Sequence, residues 1–295
     1  MNRLIGTKQP RSRLRELLTG PRPLVAPGAY DALSALLVEQ TGFEAVFMSG
    51  FAASASLLGK PDIGLLTASE MTDNARRIAD AVDLPLIVDG DTGYGNALNV
   101  ARTVRLYEQA GASAIQLEDQ VHPKRCGHMA GKQVIPCPEM VGKIRAAVDA
   151  RSDPDFLIIA RTDAAAVEGV DAAIQRAHAF ADAGADLLFV EAPESVEEIN
   201  RVATALSGDA PLVFNWAEGG RTPQLTLNEL ATIGFSLVYF PISTLLGATA
   251  GMRRVLRELR EQATPAALLA ELPAFDEFTS IVGLPEIRSL ETRYA

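Results

Sequence analysis

The sequence predicts a (β/α)8 barrel with extra C-terminal helices. Eight short apolar runs recur along the chain, amphipathic stretches separate them, and capping signals mark the joins. The runs cover residues 23–26, 45–48, 85–88, 114–117, 156–160, 187–190, 211–214 and 237–240. Most are nearly continuous in apolar character, as expected of parallel strands covered on both faces. The intervening stretches, such as 69–81, 97–110, 138–150, 171–183 and 226–233, carry helical periodicity. Thr67-x-x-Glu70, Ser195-x-x-Glu198 and Thr226-x-x-Glu229 fit the capping box at helix starts. Gly111, Gly184 and Gly234 suit the left-handed position after a last helical turn. An open doubly wound sheet is the competing architecture, since strand number does not prove closure.

No linker divides the chain, so residues 1–295 read as a single domain with an N-terminal extension over 1–20. Residues 264–295 follow the eighth unit and form a helical segment. Its apolar content (Leu268, Leu269, Leu272, Phe275, Phe278, Ile281, Val282, Leu284) calls for packing on the barrel or on a neighbouring subunit.

The net charge of −10 and pI near 4.9 argue against non-specific nucleic-acid binding, which needs basic residues against phosphates. An anionic substrate therefore requires local cations. No segment reaches the 18 or so apolar residues of a membrane helix, and residues 1–10 are polar and basic without a following apolar run. The two cysteines, Cys126 and Cys137, form neither a disulfide framework nor a zinc pattern, so a cytoplasmic setting is expected.

In a barrel, chemistry gathers at the carboxyl ends of strands. Those ends read Ser49-Gly50, Asp89-Gly-Asp91, Glu118-Asp119, Arg161-Thr-Asp163, Glu191 and Asn215. Asp89, Asp91 and Glu118 bring three carboxylates together, which is costly without a positive charge among them. Either a hard divalent cation such as Mg²⁺ lies there, or Arg161 and Lys124 pair with the carboxylates. Arg161 and Arg125 are candidate carboxylate clamps, because the guanidinium fork matches a carboxylate. Gly90-Asp-Thr-Gly93-Tyr-Gly95 lacks dinucleotide spacing, and its aspartates would repel a pyrophosphate. The long segment after Glu118 reads as a lid or binding loop. On it, Cys126 follows Lys124 and Arg125, a setting that favours a thiolate. His128 either orients a substrate carboxylate, tunes Cys126, or is structural. His178 reads as a helix packing or surface residue, and Cys137, before Pro138, as structural.

Several motifs together resemble the isocitrate lyase/phosphoenolpyruvate mutase superfamily. They are Ser49-Gly50, Gly59-Lys-Pro-Asp62, Asp89-Gly-Asp-Thr-Gly-Tyr-Gly95, Leu117-Glu-Asp-Gln120, Lys124-Arg-Cys-Gly-His128, Arg161-Thr-Asp163 and Phe189-Val-Glu-Ala192. The resemblance implies a Mg²⁺-dependent barrel enzyme, with Mn²⁺ as an alternative, acting on a small dicarboxylate or oxo acid, and a homotetramer with exchanged C-terminal helices. It implies that Asp89 holds the metal, joined directly or through water by Asp62, Asp91 and Glu118. Ser49, Gly50 and Arg161 would bind the oxo-acid portion, and Glu191 and Asn215 the second carboxylate. Cys126 would be the general acid on a loop that closes over substrate.

The Lys-Arg-Cys-Gly-His loop resembles the carbon–carbon lyase branch, including lyases of 2,3-dimethylmalate and 2-methylisocitrate. Phe51 follows Ser49-Gly50 where methylisocitrate lyases tend to have small residues, and Phe47 stands where they tend to carry a Tyr. Both changes reduce room or polarity for a tricarboxylate. The resulting expectation is cleavage of the C2–C3 bond of a 2-hydroxy dicarboxylate. Arg125, His128, Glu191 and Asn215 would surround the departing acid, and Cys126 would protonate it. Methylisocitrate cleavage, oxaloacetate hydrolysis or decarboxylation, phosphonate chemistry and a catalytically silent binding barrel are the alternatives.

Overall fold

The computed structural model describes residues 11–295. Helix α1 (Ser12–Leu18) precedes β1 (Leu24–Ala29), α2 (Ala32–Gln40), β2 (Val46–Met48), α3 (Gly50–Leu58) and α4 (Ala68–Ala81). Next come β3 (Leu86–Asp89), α5 (Ala97–Gln109), β4 (Ala114–Glu118), α6 (Cys137–Ala150) and β5 (Leu157–Thr162). They lead to α7 (Ala165–Glu168), α8 (Val170–Asp182), β6 (Leu187–Val190), α9 (Val196–Ala205) and β7 (Leu212–Asn215). The chain then forms α10 (Leu227–Ile233), β8 (Phe235–Phe240), α11 (Ser243–Gln262), α12 (Phe275–Ile281) and α13 (Leu284–Tyr294).

Among the described residues the strands close in sequence order, all parallel, and β8 pairs with β1 from Leu24 opposite Leu237 to Pro27 opposite Phe240. That pairing excludes the open sheet. Strands β3, β4, β5 and β7 run one or two residues past their apolar runs, because Asp89, Glu118, Arg161–Thr162 and Asn215 keep the extended pairing.

Alternation along each strand sorts the residues into two cores. Ala45, Phe47, Ile87, Ala114, Ile159, Phe189, Val213, Leu237 and Tyr239 fill the barrel interior. Val46, Met48, Val88, Ile115, Ile158, Leu188 and Val238 face the helices. Asp89, Glu118, Arg161, Glu191 and Asn215 continue the inward rows beyond the last apolar layer. This parity aims their side chains at one mouth.

From Ser12 onward, the expected N-terminal extension is part of the barrel; residues 1–10 lie outside the described residues. Leu14 is fully buried with the interior core. Arg11 donates to Ala112 O at 2.9 Å, Arg13 pairs with Glu44 at 3.0 Å and Arg15 with Asp186 at 3.2 Å. All three partners precede strands, so α1 closes the amino-terminal end.

Thr67 with Glu70 and Thr226 with Glu229 make reciprocal capping boxes. Ser195 makes half of one: it accepts from Glu198 N, while the Glu198 carboxylate takes Glu194 N at 2.7 Å. Gly111, Gly184 and Gly234 have φ of +95°, +98° and +111°, the left-handed geometry their spacing predicts. At Gly90 a Cβ would fall 2.8 Å from Gln116 O, so this glycine serves strand packing rather than phosphate binding.

The C-terminal segment is helical, but this chain covers little of its apolar surface. Leu268 is buried, whereas Phe275 is 80% exposed and Leu256, Leu269 and Tyr294 are more than 60% exposed. No helix among the described residues is long and apolar enough to cross a membrane.

Candidate active site

The mouth of the barrel holds a cavity of about 240 Å³, lined among others by Ser49, Phe51, Asp62, Asp89, Lys124, Cys126, His128, Arg161, Glu191 and Asn215. It is smaller than the roughly 300–1,000 Å³ typical of drug-sized ligands and suits a small acid.

Strand β2 delivers Ser49 as the N-cap of α3, accepting from Ala52 N at 3.3 Å and leaving its own hydroxyl proton for donation. Gly50 N donates to Asp89 Oδ2 at 3.2 Å, and Asp91 N to Asp89 Oδ1 at 3.1 Å. Asp89 and Glu118 are buried, and burial raises both carboxyls above their ordinary range, Glu118 strongly, although Arg161 and Lys124 oppose the shift. Glu118 Oε1 has no hydrogen-bond partner.

The expected four-carboxylate cluster is divided. Lys124 Nζ lies 2.7 Å from Asp62 Oδ1 and 2.8 Å from Asp91 Oδ1, so the lysine holds those two carboxylates. The Asp91 contact lacks hydrogen-bond alignment and is an ion contact. No group of three or more His, Cys, Asp or Glu among the described residues is placed to hold a metal. Asp89 and Glu118 remain, two buried carboxylates whose charge is disfavoured. That donor set fits a hard divalent cation, which takes one or two carboxylates and completes its shell with water and substrate oxygens.

Arg161 faces the cavity, but its fork is engaged. Nε and Nη2 donate to the two oxygens of Asp163 at 2.9 and 3.1 Å, and Nε lies 3.4 Å from Glu118. Nη1, 3.7 Å from Glu191, is the edge left for a ligand. Asp119 turns outward, accepting from Thr162 Oγ1 and Asp163 N at 2.7 and 2.8 Å, with Arg176 Nη1 at 3.2 Å.

The charge of Glu191 follows from its neighbours. Burial alone would raise its carboxyl, but Arg161 and His128 outweigh burial and hold it below its usual range, so it is ionised. His128 Nδ1 accepts from Arg221 N at 3.2 Å, which leaves the proton on Nε2, 3.0 Å from Glu191 Oε1. Their alignment falls short of a hydrogen bond. Asn215 Nδ2 donates to Glu191 from the other side at 3.3 Å.

The segment between β4 and α6 lies over the mouth. Cys126 N donates to Asp62 O at 3.1 Å, and Lys132 Nζ reaches Asp163 Oδ1 at 2.7 Å and also the Gly127 carbonyl. Gly127 is needed here: a Cβ would fall 2.4 Å from Glu191 Oε1 and 2.5 Å from Arg161 Nη2. Two expectations for this loop are corrected. Burial pushes the Cys126 thiol up to about 11, and the His128 main chain and Arg161 offset only part of that, so the thiol is protonated rather than a thiolate. Arg125 is exposed and donates to Ala130 O at 3.2 Å, outside the cavity; Lys124, one residue earlier, is the inward cation. His178 pairs with Asp209 on the surface, and Cys137 begins α6.

Sequence reasoning passes over Lys132, Gln116 and Tyr239. Lys132 has no motif, and the other two read as strand interior. Gln116 Oε1 and Tyr239 OH are both buried in the site without partners.

Closed barrel, carboxylate pair, tethered arginine and docked cysteine loop together define a (β/α)8 barrel enzyme. The phosphoenolpyruvate phosphomutase family model matches residues 14–260, and the chain belongs to the phosphoenolpyruvate mutase/isocitrate lyase superfamily. It is 46% identical to 2,3-dimethylmalate lyase of Eubacterium barkeri, over 96% of this chain and 98% of that one. It is also 46% identical to 2-methylisocitrate lyase of Aeropyrum pernix, over 92% of this chain and 86% of the relative. A crystal structure of 2,3-dimethylmalate lyase superposes with a TM-score of 0.92 at 37% identity, covering 98% and 97% of the two chains. A phosphonopyruvate hydrolase complex with oxalate and Mg²⁺ superposes with a TM-score of 0.88 at 35% identity, covering 96% and 98%.

Proposed function

We propose that this chain is a Mg²⁺-dependent carbon–carbon lyase that cleaves the C2–C3 bond of a 2-alkylmalate, such as 2,3-dimethylmalate, to pyruvate and a carboxylic acid. The observation that carries this reading is the protonated Cys126 thiol, held by the docked loop over the cavity that contains Asp89 and Arg161. An acid poised opposite a carboxylate-binding end suits proton delivery to a carbanion.

Asp89 and Glu118 would hold the metal, with Mn²⁺ as a substitute. When bound, the metal supplies Lewis acidity toward the substrate's C2 oxygen. Ser49 and the Nη1 edge of Arg161 bind and orient the oxo-acid portion. His128, donating from Nε2, and Asn215 flank the departing acid, while ionised Glu191 accepts from Asn215 beside them. Cys126 gives its proton to the carbon released from C2, and the proton lost from the C2 hydroxyl restores the thiol over the cycle, so the cleavage balances. The loop excludes water that would otherwise compete for the carbanion.

A dicarboxylate is favoured over a tricarboxylate. Lys124 and Arg161, the cations lining the cavity among its described residues, each already face a protein carboxylate, and His128 faces Glu191. Phe47 and Phe51 add apolar wall suited to alkyl groups. A lyase screen over 2-alkylmalates, 2-methylisocitrate and oxaloacetate, read by pyruvate release, tests this. Turnover of an alkylmalate is expected; turnover confined to methylisocitrate, or oxalate released from oxaloacetate, would replace it.

The exposed face of α11–α13 supports a homotetramer, since apolar surface of this kind is normally covered. Sedimentation at four times the 31.4 kDa chain mass is expected, and a monomer at micromolar concentration would refute it.

A further inference from the structure

Tyr239 ends the inward row of β8, and its hydroxyl is buried in the cavity wall with no hydrogen-bond partner. Its ring is fixed on two sides. It stacks on Phe47 with centroids 4.1 Å apart and planes within 6°, and meets Phe189 edge-on at 6.3 Å and 84°. Phenylalanine could fill this wall, as it does at positions 47 and 189. At position 239 the wall carries one oxygen, and a buried hydroxyl left without a partner costs free energy.

The place of that oxygen indicates what it meets. Tyr239 belongs to the interior core with Phe47 and Phe189, at the deep end of the cavity. Asp89 and Arg161 are the charged groups acting on the phenol. Cys126, His128 and Glu218 come from the loops at the opposite, outer end. A ligand oxygen at the deep end therefore belongs to the portion seated between Asp89 and Arg161.

We propose that Tyr239 is a substrate-binding residue whose O–H donates a hydrogen bond to an oxygen of the oxo-acid portion at the floor of the cavity. This rests on the lyase reading. The rigid stack holds the donor in place before substrate arrives, so little ordering is lost on binding.

The test compares the wild type with Tyr239→Phe, which keeps both ring contacts. Oxalate, a planar mimic of the oxo-acid portion, is titrated calorimetrically in excess Mg²⁺, and ligand-free melting is measured alongside. Oxalate affinity is expected to fall roughly tenfold or more, the loss of one hydrogen bond to a charged acceptor. Melting is expected at or above the wild-type temperature, since no protein hydrogen bond is removed. Lyase kcat/KM should fall by a similar factor. Equal oxalate affinity in the two proteins overturns this proposal alone. A lower melting temperature assigns Tyr239 a structural role and also overturns it. Failure of the wild type to bind oxalate removes the lyase reading and this proposal together.

Discussion

The Lys132 ammonium lies 2.7 Å from the Asp163 carboxylate, joining the β4–α6 loop to the end of β5. Both side chains are nearly inaccessible to solvent, and the same ammonium holds the Gly127 carbonyl. One lysine thus ties the segment carrying Cys126 to the strand carrying Arg161. Lys132→Met is expected to lower melting stability toward the low end of the ~3–5 kcal/mol for breaking a buried pair, because Arg161 still serves Asp163. Turnover should fall about 100-fold through misplacement of the thiol. Wild-type turnover in Lys132→Met would show that the loop needs no such tether.

Asp163 also sets an acid limit. Burial would raise its carboxyl, but Arg161 and Lys132 overcome burial and lower it from 3.8 to about 2. A depressed folded-state value stabilises the protein above the unfolded value. That contribution, about 2 kcal/mol, is lost as pH falls from about 4 to about 2. Melting curves over this window should be steeper in pH for the wild type than for Asp163→Asn. Parallel curves would remove Asp163 from the acid response.

Cys126→Ala and Cys126→Ser are expected to lose lyase turnover by about 10²–10⁴-fold while still binding oxalate with Mg²⁺. Because the thiol is raised to about 11, alkylation by iodoacetamide should accelerate roughly tenfold per pH unit from pH 7 to 10. A rate that levels off below pH 9 would contradict the upward shift of the thiol, and near-normal turnover in Cys126→Ala would end its assignment as the acid.

Asp89→Asn should abolish stabilisation by Mg²⁺. In the wild type, free metal at 100 times its dissociation constant adds about 2.7 kcal/mol. Conversely, Asp62→Asn should leave much of the metal response while loosening Lys124. A Mg²⁺-induced shift retained in Asp89→Asn but lost in Asp62→Asn would reverse the division of the carboxylates.

The barrel is legible because strands covered on both faces are apolar throughout and helix ends are punctuated by capping boxes and glycines. The rim is legible for a related reason. Where Ile87 gives way to Asp89, or Phe189 to Glu191, an inward row changes from apolar to charged. Direction within the long loop is not written in this way. Lys124 and Arg125 are adjacent cations, yet one is buried against Asp62 and the other is exposed, and only tertiary packing separates them. Tyr239 is hidden for the opposite reason. In an apolar strand nothing distinguishes it from Phe240, which faces outward against Trp216. Lys132 lies in no motif, and its partner Asp163 is 31 residues away.

Helix α1 seals the amino-terminal end of the barrel, so traffic passes through the mouth beneath the cysteine loop. A fragment on the floor is then trapped behind whatever occupies the outer end. Under the lyase reading the two products queue, with the carboxylic acid leaving before pyruvate. Pyruvate should therefore inhibit competitively against substrate and the carboxylic acid noncompetitively. The opposite pattern would require a second exit.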